Sequence, residues 1–327
     1  MRVLWLLPNL DFTSAARQAS LVLPELVRAG DEVRVAVLQS GGGFTGLLKS
    51  TGVDVTELAS PHDLTLRAWW ALDRLLRDWR PDVIHAWRLP AMRALGLLRT
   101  VCGKRARYVM SQSQRGGGMH GLDRWLTSRL GASDPTIPLA VGPSSLTQER
   151  DPWKIVCMGR FDKSHSFFDA VWAFDVLRFV MPNLRLELIG SGPERARIEA
   201  FIHAAGRGRT GVQMHPASTD AIERLGSAAM VWVPSRAPAG EQVAFEAQAA
   251  GTPVVASRLL ASVVTDGETG VLVPPGDPVQ LAKVTRRLLE HPDELRRLGN
   301  AGRERVTREK SAALVAAKWR EVYQRTV

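Results

Sequence analysis

Residues 230–257 read MVWVPSRAPAGEQVAFEAQAAGTPVVAS, and the order of element types in this stretch decides the fold. Val231-Trp232-Val233 is a short β-branched and aromatic run that stops at Pro234, as a buried strand does. Residues 236–240 contain Pro238 and Gly240 and form a loop. Glu241 opens a helix, where a carboxylate in the first turn suits the positive end of the helix dipole. Val243, Ala247 and Ala250 share one face of that helix and Phe245 and Ala249 an adjoining one, so it is apolar over a broad arc. Gly251 ends it, Thr252-Pro253 turns the chain, and Val254-Val255-Ala256 is the next strand. A unit of strand, loop, helix and strand belongs to an open parallel sheet. It sets its loop at the carboxyl edge, where ligands of such sheets bind.

The same rhythm extends in both directions. Upstream, strands are expected at 153–158, 184–189 and 212–215, with helices at 168–179, about 194–205 and 219–228. Downstream, helices are expected at 278–290, 292–308 and 311–326. Trp319 and Tyr323 lie four apart on the last of these and make an apolar docking face. The first half of the chain has strands at 2–7, 32–38, 53–58, 81–87 and 107–111. Helices are expected at 14–29, with Ser14 as N-cap, and at 64–79. Helix 64–79 carries Trp69, Trp70, Leu72, Leu75, Leu76 and Trp79 between arginines. Packing on the sheet is preferred to the alternative of a membrane-surface helix. Gly41-Gly42-Gly43 reads as a flexible turn, and the proline-rich segment 130–150 as an interdomain connection.

The 327 residues favour two domains over one, and 45% hydrophobic against 23% charged residues is ordinary for a globular protein with a sizeable core. With only Cys102 and Cys157, neither a disulfide framework nor a cysteine-rich metal site is implied, and a reducing compartment is the simplest reading. The apolar run at the N-terminus is too short for a signal peptide, and no uncharged stretch approaches transmembrane length. The net charge of +10 favours anionic partners such as phosphorylated substrates or an acidic membrane surface, the alternative being arginine spread widely without function. No zinc-finger, RRM or KH signature supports a nucleic-acid partner.

Residues 246–257, EAQAAGTPVVAS, are similar to the donor-nucleotide segment of GT-B glycosyltransferases of the group 1 (family 4) type, in which two glutamates separated by seven residues precede A-x-A-x-G-x-P-V-V-A. The resemblance continues in Gly159-Arg160-Phe161-Asp162-Lys163-Ser164-His165-Ser166, similar to G-R-L-x-x-x-K-G, in the Gly190-Ser191-Gly192-Pro193 turn, and in residues 266–277, DGETGVLVPPGD. It covers most of the chain and is strongest from 154 to 308. It implies an α/β, GT-B-like fold of two Rossmann-like doubly wound parallel-sheet domains facing across a cleft. The expected boundaries are 1–140 for a shortened acceptor-side domain, 151–310 for the donor domain, and 311–327 for a helix crossing back to the first.

The resemblance also implies roles. Glu246 falls on the glutamate that accepts hydrogen bonds from the donor ribose. The partner glutamate's position is Pro238, and Glu241 is the nearest substitute for contact with the transferred sugar. Arg160 matches the arginine on the donor diphosphate, with pairing to an internal carboxylate as the alternative. His165 occupies the lysine position and Lys163, two residues away, reaches the same phosphate; Gly192 belongs to the donor-side turn. On the acceptor side the family's glycine pair falls on Ser14-Ala15. His85 stands in a D-V-I-H strand, with a structural histidine as the alternative. A plain flexible linker is the preferred reading of residues 115–120, the alternative being a mobile acceptor loop whose His120 compensates for the histidine missing from Ser111-Gln112-Ser113-Gln114. The implied activity is retaining transfer from a nucleotide-sugar to a saccharide or lipid-linked hydroxyl, with no metal or cofactor. The implied location is the cytoplasm, with peripheral contact at the inner membrane face. The four altered positions leave a rival reading: an impaired relative that binds a nucleotide or acts as an assembly partner in polysaccharide or glycolipid synthesis.

Overall fold

The structure is a computed structural model, and it describes residues 1–58, 66–87, 91, 93–95, 106–111, 137–142, 149–206 and 211–326. The chain packs as two compact units, one of Met1–Ala140 with Ala312–Val327 and one of Val141–Ser311. In chain order the first contains β1 (Arg2–Leu7), α1 (Ser14–Arg28), β2 (Glu32–Val37), α2 (Thr45–Ser50), β3 (Asp54–Glu57), α3 (Leu66–Trp79), β4 (Val83–Trp87) and β5 (Arg107–Ser111). The second contains β6 (Asp151–Met158), α4 (Phe167–Leu177), β7 (Arg185–Ile189), α5 (Arg195–Gly206), β8 (Val212–His215) and α6 (Ala221–Gly226). It continues with β9 (Ala228–Val233), α7 (Glu241–Ala249), β10 (Val254–Ser257), a 3-10 turn (Arg258–Leu260), β11 (Val271–Val273), α8 (Pro278–Glu290) and α9 (Pro292–Lys310). The last helix, α10 (Ala312–Thr326), belongs to the first unit.

The first unit is a five-stranded sheet in the order β3-β2-β1-β4-β5, every pair parallel. Its central strand is buried from Val3 to Leu7, because a parallel sheet is covered on both faces and its strands are continuous apolar runs. On one face Val3, Trp5 and Leu7 pack with α1 and with Val315, Trp319 and Tyr323 of α10. On the other, Leu4, Leu6 and Ile84 pack with Ala68, Leu72, Leu75 and Trp79 of α3. That helix is therefore a core element, with Trp70 its exposed aromatic. The N-cap of α1 is Thr13 and not Ser14: Thr13 holds extended backbone and its hydroxyl accepts from Ala16 N at 3.3 Å, while Ser14 is already helical.

The second unit is a six-stranded parallel sheet in the order β11-β10-β9-β6-β7-β8. β9 is buried at all of its positions, and Trp232 Nε1 donates to Thr285 Oγ1 of α8 at 2.9 Å, satisfying the one polar atom its ring brings into the core. α7 is buried from Gln242 to Ala249, as its broad apolar arc requires. No helix among the described residues is long and apolar enough to cross a membrane.

Candidate functional site

The order of the second sheet reverses at β6. From there the chain moves outward through β7 and β8 on one side and returns through β9, β10 and β11 on the other. The crevice outside the carboxyl ends of β6 and β9 is the place where such a sheet leaves room for a ligand. Two loops emerge there, residues 159–166 after β6 and residues 234–240 after β9. A backbone hydrogen bond ties them, Arg236 N donating to Ser164 O at 2.9 Å.

The first loop is organised around Asp162. Its Oδ1 accepts from Ser164 N at 2.9 Å, from Ser164 Oγ at 2.5 Å and from His165 N at 3.3 Å, and it lies 2.9 Å from His165 Nδ1. Burial pushes the Asp162 carboxyl up, and the hydrogen bonds from His165 and Ser164 outweigh it and hold the group below its ordinary value. His165 is thereby committed to the loop, its ring lying against Gly159, where an added Cβ would fall 2.6 Å from ring carbon Cδ2. Of the two cations on this loop, Arg160 pairs loosely with the same carboxylate and Lys163 stays outside the knot. Arg160 is 65% exposed, 3.6 Å from Asp162 Oδ2. Lys163 is exposed, with no hydrogen bond or ion pair among the described residues. Gly192 supports the loop from the neighbouring β7 turn. A Cβ there would lie 2.4 Å from the Phe161 carbonyl oxygen, and Phe161 N donates to Ser191 O at 2.8 Å.

Ser166 closes the loop as the N-cap of α4. It holds a left-handed conformation, φ 55° and ψ 44°, makes no side-chain cap bond, and buries its hydroxyl without a partner.

The second loop ends at Gly240, φ 89°, where a Cβ would meet Val233 Cγ1 at 2.5 Å. Glu241 follows as the first residue of α7. Burial raises its carboxyl above the ordinary value, and the charge of Lys310 pulls in the opposite direction. Lys310 itself lies with Nζ 4.8 Å from the centre of the Phe245 ring, one turn along the helix from Glu241. Glu246 sits deeper, 4% exposed, and accepts from Gln242 Nε2 at 2.9 Å on Oε1.

The donor-side candidates thus gather at one sheet edge: Arg160, Lys163 and His165 on one loop, Gly192 beneath it, and Glu241 and Glu246 on the helix that starts at the other. The acceptor-side candidates do not gather. Ser14 is half-buried and Ala15 buried in the first turn of α1. His85 is a core residue of the first unit: it is fully buried, bonded through Nδ1 to Tyr323 Oη at 2.6 Å and through Nε2 to Ser111 Oγ at 2.9 Å. Desolvation by burial pushes its imidazole well below its ordinary value, so the ring is a neutral core element. His120 lies outside the described residues.

Sequence reading missed one pair. Arg236 of the second loop donates from Nε to Asp169 Oδ2 at 2.9 Å and from Nη2 to Asp169 Oδ1 at 2.8 Å. Asp169 was visible as an acid in the first turn of a helix whose one other charged residue is Asp175, the one available signal. No group of three or more His, Cys, Asp or Glu among the described residues is arranged to hold a metal ion.

Residues 152–291 match the sequence family described as glycosyl transferases group 1. A glycogen synthase of Mycobacterium tuberculosis is 28% identical over 312 aligned residues, covering 81% of this chain and 74% of that one. The lipopolysaccharide core biosynthesis glycosyltransferase LpsD of Rhizobium meliloti is 28% identical over 281 residues, covering 79% of each chain. Among solved structures, Anabaena HepE in complex with UDP and glucose superposes with a TM-score of 0.80 at 14% identity, covering 99% of this chain and 100% of that one, a likeness of fold.

Proposed function

From the premise that this chain is a group 1 glycosyltransferase of GT-B fold, we propose that it takes a sugar from a nucleotide-sugar and transfers it to an acceptor hydroxyl with retention of configuration. The observation that carries this reading is that two exposed cations, Arg160 and Lys163, stand on the loop after β6, which is tied by a backbone hydrogen bond to the loop that leads into α7, at the reversal of strand order in the second unit. A diphosphate is the chemistry that such an edge accommodates. Cationic side chains and the unpaired N–H groups of a helix start both favour a doubly charged group. HepE, which shares the fold, was solved with UDP and with UDP-glucose, and this adds support for a uridine nucleotide among the donors to try.

In this reading Arg160 and Lys163 hold the diphosphate, and Glu246 accepts from the ribose hydroxyls with its carboxylate oriented by Gln242. Glu241 touches the transferred sugar. Asp162 and His165 act one step back by fixing the loop that presents Arg160. The bond from the anomeric carbon to the diphosphate oxygen breaks and its electron pair leaves with the diphosphate. The acceptor hydroxyl adds on the same face, and its proton passes to the departing phosphate oxygen. Charge grows on that oxygen as the bond lengthens, so cations already in position stabilise the transition state more than the ground state. The acceptor is a saccharide or a lipid-linked saccharide. The second case brings the protein to an anionic membrane surface, for which its net charge of +10 is suited.

The test is a panel of UDP, GDP and ADP and their sugars. A nucleoside diphosphate that binds the folded chain raises its melting temperature by mass action. Arg160→Ala removes that shift, and release of labelled sugar from the matching donor separates transfer from binding alone. A chain that responds to no nucleotide or sugar of the panel does not take its sugar from a uridine, guanosine or adenosine diphosphate donor.

A further inference from the structure

The geometry points to Arg236 as a further ligand of the donor's anionic group, held by Asp169 along one edge of its guanidinium so that the other edge meets phosphate oxygens. The inference rests on the donor site proposed above and adds a residue from the second loop.

Three contacts fix Arg236. Its backbone N–H donates to Ser164 O at 2.9 Å, and its Nε and Nη2 form the two-pronged contact with the Asp169 carboxylate at 2.9 and 2.8 Å. The plane of the guanidinium also lies against the turn before α8, where a Cβ on Gly276 would sit 3.1 Å from Arg236 Cζ. A long side chain ordinarily loses rotamer freedom when it binds an anion. Here that freedom is spent in the unliganded fold, and a planar fork held along one edge is oriented at the other.

The exposed member of the pair is the cation. The Arg236 side chain is 57% exposed and that of Asp169 12%, so an approaching anion meets the guanidinium before the carboxylate behind it. Nη1 makes no hydrogen bond among the described residues, which leaves its hydrogens to a ligand. The residue also stands at the right place. It is on the loop that leaves β9, bonded to the loop that leaves β6, and those two strands flank the reversal of the sheet. Arg160 and Lys163 stand on the first loop and Arg236 on the second, so an anion bound between the two loops would be held from both sides.

A purely structural clasp, joining two loops to α4 and the Gly276 turn, is the competing account, and binding measurements separate the two. Calorimetric titration of the full chain with UDP, GDP and ADP first identifies the diphosphate it binds. That diphosphate and its parent nucleoside are then titrated against wild type, Arg236→Gln, Arg236→Lys and Arg160→Ala. Loss of a charged, two-pronged contact should weaken the diphosphate about tenfold in Arg236→Gln while the nucleoside binds as before. Arg236→Lys, which keeps the charge without the fork, should fall between. An equal loss for diphosphate and nucleoside marks the clasp and overturns the inference. So does wild-type diphosphate affinity in Arg236→Gln alongside a loss in Arg160→Ala, a result that leaves the donor site standing. A wild-type chain that binds none of the three removes the donor site and Arg236 with it. Should Arg236→Gln not fold, Arg236→Lys decides: diphosphate affinity equal to wild type overturns the inference, and a loss confined to the diphosphate upholds it.

Discussion

The hydroxyl of Tyr323 lies 2.6 Å from Nδ1 of His85, joining the last helix of the chain to the fourth strand inside the core of the first unit. Trp5 Nε1 donates to the same phenol oxygen at 3.0 Å, so the phenol proton is given to His85 Nδ1. The imidazole proton is then on Nε2, donated to Ser111 Oγ at 2.9 Å. Both Tyr323 and His85 are fully buried, where a polar atom without a partner is expensive.

Tyr323→Phe removes the phenol and strands two buried groups, His85 Nδ1 and Trp5 Nε1. Loss of one partner in such a network costs about 1–3 kcal/mol, more than the average hydrogen bond returns. Urea denaturation of the full chain should show a destabilisation of about 2 kcal/mol. The melting shift produced by a nucleoside diphosphate, which reports on the second unit, should survive. A variant as stable as wild type would show that the network carries no net stability.

The same network sets a pH dependence. Burial holds the His85 imidazole well below its ordinary 6.5. The unfolded chain therefore takes up a proton near 6.5 that the folded chain refuses until the pH is lower. The stabilising contribution of the neutral ring is present above the unfolded value and is lost as pH falls below it. Melting temperatures of wild type and His85→Gln at pH 7, 6 and 5 give the measurement. The variant should start lower at pH 7 and lose less on acidification, so that the two curves converge. Parallel curves would mean that His85 is protonated in the folded state as readily as in the unfolded one.

Ser166 should be improved by a smaller residue. Its left-handed backbone costs an L-residue about 1–2 kcal/mol, and its hydroxyl is buried without a partner. Ser166→Gly removes both penalties and restores some freedom to the unfolded chain, for a net gain of about 1 kcal/mol. Ser166→Ala removes only the orphan hydroxyl and should gain less. Thermal melts of the two variants rank them, and a glycine variant below the alanine one would show that the backbone there carries no strain.

The second unit was largely legible in the sequence because its apolar runs stop at residues that cannot continue them. Pro234 ends β9, Gly251 ends α7, and Pro278 starts α8 behind its N-cap Asp277. Arg160, Lys163 and Glu241 were singled out by the resemblance to the family's donor motifs, and the βαβ rhythm set the loops that carry them at the carboxyl edge. What escaped depends on contacts between distant residues. Arg236 and Asp169 are 67 positions apart, and nothing in either neighbourhood announces the other. α2 was hidden behind Gly41-Gly42-Gly43, read as a flexible turn. The fold uses Gly42 for a close approach, since a Cβ there would lie 2.3 Å from the Leu10 carbonyl carbon. The N-cap of α1 was misplaced by one residue because serine is the better cap by type, and only the backbone angle shows that Thr13 takes the role.

Glu241 offers the sharpest separation of stability from chemistry. Its carboxyl is raised above the ordinary 4.5, chiefly by burial, against the pull of Lys310. The folded chain therefore keeps this proton to a higher pH than the unfolded chain does. Stability is lost as pH rises from the unfolded value through the folded one, and the whole penalty applies above that range. Glu241→Gln, neutral and of the same size, should raise the melting temperature at pH 7, with the gain shrinking toward zero as the pH falls below 4.5. If the carboxylate acts at the sugar, the same substitution should lower the transfer rate about 100-fold, as loss of one well-placed electrostatic group does. It should leave affinity for the nucleoside diphosphate unchanged. A variant both steadier and inactive would identify a group retained for chemistry against the interest of the fold. One that is less stable and fully active would assign Glu241 to the start of α7 alone, and the sugar would need another partner.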